Sequence, residues 1–325
     1  MSHMIEQLSN GSFSHAYVGD LPWHGLGVKV AADLTPEQMM QAANLDWEVE
    51  KTPLYTRFKG DQVRISDKYA LTRSSDGRVL DVVGDGWNPV QNREAFQFFN
   101  DFVAAGDMEM HTAGSLKEGR NVWALAKINE SFDILGGDQV DGYLLFSNPH
   151  QYGKTVEVRF TPIRVVCNNT LTMALNQNSA KVNSMVRLNH RSVFDGDAVK
   201  EVLGVSKEKL AKYKEMAQFL STKRYTNENI VEYFNRVFPM TSGAKADEGK
   251  LASRAANTAF EVLDDQPGAE FGRGTWWSAF NAVTYTTDHL LGRSADTRMQ
   301  SAWFGSNQKR KIDAANLAME MAEVA

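Results

Sequence analysis

The chain is predicted to be an α+β protein: a sheet-rich N-terminal body with β-hairpins and short helices, followed by a helical C-terminal region. Three observations predict it. Strand-like runs fill the first half, turn signals such as Ser74-Ser75-Asp76-Gly77 separate them, and beyond Asp195 the apolar spacing becomes helical. The expected organisation is a sheet-rich domain over residues 1–194, containing a basic segment at 151–193, and a helical region over residues 195–325.

Thr35-Pro36-Glu37-Gln38 is a capping box with proline at the first helical position, so a short helix is expected to about Asn44. Strands are expected over residues 47–58, 62–72 and 78–83. A helix is predicted over 92–105, where Phe96, Phe99 and Val103 recur at helical spacing and Gly106 stops it. Residues 109–113 and 121–128 read as a strand pair across Lys117-Glu118-Gly119. Residues 142–147 and 155–160 read as another pair, joined through Asn148-Pro149-His150. Ile163–Val166 extends the sheet, Asn168 is placed as the N-cap of a helix through Leu175, and residues 183–190 alternate like a strand. Helices are expected near 197–220, 227–238, 246–263, 275–291 and 306–324.

Hydrophobic content of 42% and charge of 23% are those of an ordinary globular protein. No apolar run approaches the ~20 residues that cross a bilayer, and the N-terminus lacks the layout of a signal peptide. Cys167 stands alone, which excludes an intramolecular disulfide and a cysteine-built zinc site. A cytoplasmic setting with no membrane partner is the expectation.

Charge is distributed unevenly. Residues 151–193 hold Lys154, Arg159, Arg164, Lys181, Arg187 and Arg191 against the single acid Glu157, a formal +5. The whole chain carries −5, which leaves −10 for the other residues. A cationic segment on folded structure in an acidic chain points to an anionic partner.

Three strings carry a resemblance: Pro22-Trp23-His24-Gly25-Leu26-Gly27; Arg164-Val165-Val166-Cys167-Asn168-Asn169-Thr170-Leu171; and Gly274-Thr275-Trp276-Trp277 with Asn281-Ala282-Val283-Thr284 and Asp288-His289. In this order they resemble the phage- and plasmid-borne family known as domain of unknown function 932, from about Tyr17 to the last helix. The resemblance implies a mobile-element setting inside a host cell: replication, recombination or conflict with the host. It brings no catalytic residues.

Each motif has a functional and a structural reading. His24 between flexible glycines is suited to meet a ligand, whereas Trp23 is suited to pin an N-terminal arm. Arg159, Arg164, Asn168 and Asn169 gather around an expected helix start, where free N–H groups and guanidinium forks suit phosphate. Cys167 there is either an activated thiol or a small buried hydrophobe. Lys181, Asn183, Arg187, Asn189 and Arg191 share parity, so an unbroken strand would carry a cationic stripe about 30 Å long. Tyr152 and Phe160 are the nearest rings for stacking bases. Asn281, Tyr285, His289 and Arg293 form a polar ladder beside an apolar helical stripe, either a buried network or a recognition edge.

Phosphate-loop, HExxH, GxGxxG and paired CxxC motifs are absent, and the seven histidines show no metal-ligand spacing. Asp46, Glu48 and Glu50 only weakly imitate a nuclease carboxylate cluster. No metal, cofactor or catalytic residue is therefore assigned. The leading expectation is a non-catalytic nucleic-acid-binding homo-oligomer, engaged in single-stranded DNA binding or strand annealing. The alternatives are a counter-defence protein that binds a host protein, and an enzyme acting on nucleotides or nucleic acid.

Overall fold

A computed structural model describes residues 5–20, 22, 25–134, 136–164, 169–170, 185–190, 210–240, 249–292 and 295–324. It shows a mixed α+β chain, sheet-rich first and helical afterwards. The strands are β1 (His15–Tyr17), β2 (Val28–Lys29), β3 (Val49–Phe58), β4 (Asp61–Arg73), β5 (Val79–Gly84), β6 (Met108–Leu116), β7 (Asn121–Asp133), β8 (Gln139–Pro149), β9 (Val156–Arg164), β10 (Asn169–Thr170) and β11 (Met185–Leu188). Short helices α1 (Pro36–Ala42), α2 (Asn92–Gln97) and α3 (Asn100–Ala104) lie among them. The helical part comprises residues 210–222 (α4), α5 (Asn227–Val237), α6 (Arg254–Glu261), α7 (Trp276–Tyr285), α8 (Ala295–Phe304) and α9 (Ser306–Val324).

Among the described residues, one sheet has the order β10-β9-β8-β7-β6-β1-β2, with β11 also paired to β9. A second sheet has the order β3-β4-β5. The chain divides into two compact units. The first takes Met1–Asn129, Leu144–Phe160 and Met185–Val202; the second takes Glu130–Tyr143, Thr161–Ser184 and Leu203–Ala325. A cut at 194/195 assigns the chain linearly, whereas both units draw on β7, β8 and β9.

In the first unit the sequence signals act locally. Thr35 caps α1: its hydroxyl accepts the Gln38 N–H at 3.2 Å, while the Gln38 side chain accepts the Thr35 N–H at 2.9 Å. The predicted helix over 92–105 is interrupted, because Phe98 and Phe99 are consecutive and both are buried against Phe146. Neighbouring side chains on a helix point about 100° apart, so one continuous face does not serve both rings. Trp47, Trp123, Phe96 and Phe146 form the interior. Arg73 is buried among them, with Nη1 2.6 Å from Glu6 Oε1 and Nη2 2.6 Å from Asp76 Oδ2.

In the second unit, α7 is buried on every side from Trp276 to Thr284, which departs from the single apolar stripe expected. The Trp277 indole donates to Asp138 Oδ2 at 2.8 Å, and the Tyr233 hydroxyl donates to the Ala314 carbonyl at 3.1 Å. The expected helix over 275–291 changes to a π-helical turn at Thr286–Leu290. There the Thr287 hydroxyl donates to the Val283 and Thr284 carbonyls, competing with the regular backbone ladder. Asp288 is thereby placed 2.7 Å from Nζ of the fully buried Lys311.

Asn169 and Thr170 correct the helix expected after Asn168: they pair with Arg164 and Ile163 as strand β10. Asn168 itself lies outside the described residues. Strands β1 and β2 and helix α8 were not anticipated. Among the described residues no helix is long and apolar enough to cross a membrane.

Candidate nucleic-acid interface

The site is built from two loops of the first unit. The β6–β7 turn holds Lys117 and Glu118 at φ +54° and +59°, and Gly119 follows at φ +89°. Gly119 is required here, because an added Cβ would stand 2.7 Å from Nη1 of Arg73. Arg73 is itself held by Glu6 and Asp76 and has little room to give. The second loop joins β8 to β9. His150 donates its backbone N–H to the Arg120 carbonyl at 2.9 Å, tying the loops together. Tyr152 donates its backbone N–H to Asp81 Oδ2 at 2.8 Å, tying the second loop to β5.

Lys117, Arg120 and Lys154 meet at this junction. None forms an ion pair with an acid among the described residues. The Lys117 amine is pushed below its ordinary range, first by partial burial and then by the neighbouring charges of Lys154 and Arg120. Glu118, the acid of the turn, is engaged elsewhere: its Oε2 lies 3.2 Å from Nη1 of Arg78. Tyr152 stands beside this group with 62% of its surface exposed. The result is a compact cationic surface with an accessible ring.

Beneath the loops lies a buried polar network. Asn92 donates to the Leu45 and Trp47 carbonyls, so its Oδ1 accepts from His150 Nε2 at 3.1 Å. Asn148 donates to the Val90 carbonyl at 2.8 Å. His190 Nδ1 lies 3.2 Å from the Asn88 carbonyl, and its ring stacks on Trp87 with centroids 4.2 Å apart. Burial, with a further contribution from His190, pushes the His150 imidazole down to about 3. Burial also lowers His190, against the opposing pull of the Asn88 and Pro149 carbonyls. Both rings are neutral at pH 7, so they support the loop and add no charge to it.

The predicted site residues divide. Lys154 and Tyr152 fall on the cationic surface. Arg187 is exposed on β11 but lies 3.3 Å from Glu157, its register partner on β9, so its charge is largely answered. Asn189 is exposed. Arg159 and Phe160 are corrections: both are buried, so neither presents a guanidinium or a ring to a ligand. Burial lowers the Arg159 guanidinium to about 10, against the opposing charge of Glu157. Arg164 ends β9 and Asn169 begins β10. Asn168, Lys181, Arg191, Cys167, Trp23, His24 and Arg293 lie outside the described residues. Of the late ladder, Tyr285 and His289 come together with ring centroids 4.9 Å apart. Asn281 is buried and donates to the Trp277 carbonyl at 2.9 Å.

Lys117, Arg120, His150 and His190 were not singled out. A linear charge count hides the first two, because Glu118 separates them. The available signal was the hairpin turn itself, which brings its two flanking cations to one end of a strand pair.

A model of the family described as Domain of unknown function (DUF932) matches residues 79–310. The chain belongs to this family. No curated protein and no solved structure matches it. The DUF932 match begins at β5 and takes in Lys117, Arg120, Tyr152 and Lys154, whereas Pro22–Gly27 precedes it. Within that glycine string, Gly27 has a steric role. At φ +101° it lies so close to His15 that an added Cβ would meet Nδ1 of that ring at 2.3 Å.

Proposed function

We propose that this DUF932 protein binds single-stranded nucleic acid, in the manner of proteins that coat or anneal strands for recombination or replication in mobile elements. One observation carries the reading. Lys117, Arg120 and Lys154 converge without an acidic partner among the described residues, beside the exposed ring of Tyr152. Cations that follow a phosphate backbone, with an aromatic face for a base, are what sequence-tolerant single-strand binding requires. The local charge stands out against a chain of net −5, so attraction to bulk protein charge does not account for it. The mobile-element setting belongs to the same proposal.

The test is fluorescence anisotropy with labelled single- and double-stranded oligonucleotides, comparing wild type with Lys117→Glu/Lys154→Glu. Salt-sensitive binding that prefers single strands and weakens at least about tenfold in the variant supports the reading. Absence of binding to either form by wild type, or equal binding by both proteins, refutes it.

A further inference from the structure

The β3–β4 hairpin is the least covered part of the first unit. β5 pairs with β4 only from Lys68 to Thr72. Beyond Pro53 the two strands therefore pair only with each other, through Tyr55–Arg64, Thr56–Val63, Arg57–Gln62 and Phe58–Asp61. All eight of these residues are exposed, so both faces of the ribbon and both edges are open.

Cross-strand partners share a face. One face carries Tyr55, Arg57, Gln62 and Arg64; the other carries Thr56, Phe58, Asp61 and Val63, with Ile65 joining it by alternation. Six of the eleven large apolar side chains exposed among the described residues lie on the β3–β5 sheet, with Phe58 at 64% exposure. A solvated cationic face needs no explanation. An apolar ribbon face does, because an isolated two-stranded ribbon is marginal in water and an open apolar edge invites pairing.

We propose that the apolar face of this ribbon seats on a second copy of the same chain. Charge selects that occupant. Residues 51–68 hold five basic residues and two acids, a formal +3 that leaves −8 for the rest of the chain. The ribbon is therefore complementary to its own protein: Phe58, Val63 and Ile65 leave water, while Arg57 and Arg64, which form no ion pair with a described residue, reach an acidic neighbour. A phosphate backbone would satisfy the arginines, but it would leave Val63 and Ile65 in water and meet Asp61. The proposal stands independently of the nucleic-acid reading.

The experiment is sedimentation velocity of the full chain over a concentration series at low and high salt. Wild type should sediment as an oligomer that loosens as salt rises. Phe58→Ser/Val63→Ser should be monomeric, and Arg57→Glu/Arg64→Glu should dissociate at about tenfold higher concentration, both with an unchanged circular dichroism spectrum. A wild type that stays monomeric at every concentration overturns the proposal, as do oligomers that survive both substitutions. If wild type is monomeric and Phe58→Ser/Val63→Ser loses oligonucleotide binding instead, the ribbon belongs to nucleic acid and the proposal is also overturned.

Discussion

At the scale of single residues, three buried histidines set how the protein responds to acid. Burial holds His15 down to about 4 against its bond to the Leu26 carbonyl, holds His150 down to about 3, and lowers His190. An unfolded histidine titrates near about 6.5. Between that value and about 4 the unfolded chain takes up protons that the folded chain refuses, so folding stability is complete above 6.5 and falls as the pH drops. Two pH units below 6.5, each ring kept neutral weakens folding by about 2–3 kcal/mol. Urea midpoints measured at pH 7.5 and 4.5 should drop steeply at the lower pH; equal midpoints would mean that these rings are solvated. None of these three pairings was legible in the chain, because His150 and His190 meet only once β8 and β11 have joined the same sheet. Arg159 and Phe160 failed as interface residues for a related reason. Parity says which side chains share a strand face but not which face the fold covers.

At the scale of elements, local signals held wherever the backbone alone decided them. The Thr35 capping box, the hairpin between β4 and β5 and most strands of the large sheet follow from short stretches of sequence. The departures come from tertiary demands. Paired burial of Phe98 and Phe99 interrupts a helix, hydroxyl back-bonding at Thr287 accompanies the π-helical turn, and ladder pairing with β9 takes Asn169 and Thr170. The β6–β7 turn is the element on which the site depends. Gly119→Ala would place a side chain on a left-handed backbone and against Arg73, whose guanidinium Glu6 and Asp76 hold in place. That strain costs about 1–3 kcal/mol. It should lower the thermal midpoint and, by displacing Lys117 and Arg120, weaken oligonucleotide binding in the same variant. Binding that stays at the wild-type level in a destabilised Gly119→Ala protein would separate the turn from the site.

At the scale of the whole molecule, an acidic chain presents two local cationic surfaces, the junction of Lys117, Arg120 and Lys154 and the ribbon face of Arg57 and Arg64. The linear charge count found the anomaly in residues 151–193 but spread it too far, since Arg159 is buried and Arg187 is paired with Glu157. What remains of it around Lys154 gains strength from a turn more than thirty residues earlier. Membership of the DUF932 family is carried by residues 79–310 and is silent on ligand, so the physical argument rests on this junction. The measurement that tests it most directly is the salt dependence of binding to a labelled oligothymidylate, for wild type and for Lys117→Gln/Arg120→Gln/Lys154→Gln. Each phosphate neutralised on a single strand contributes about 0.7 to the slope of log affinity against log salt, so three lost contacts should flatten it by about 2. Parallel slopes for the two proteins would contradict the account and place any binding elsewhere on the chain.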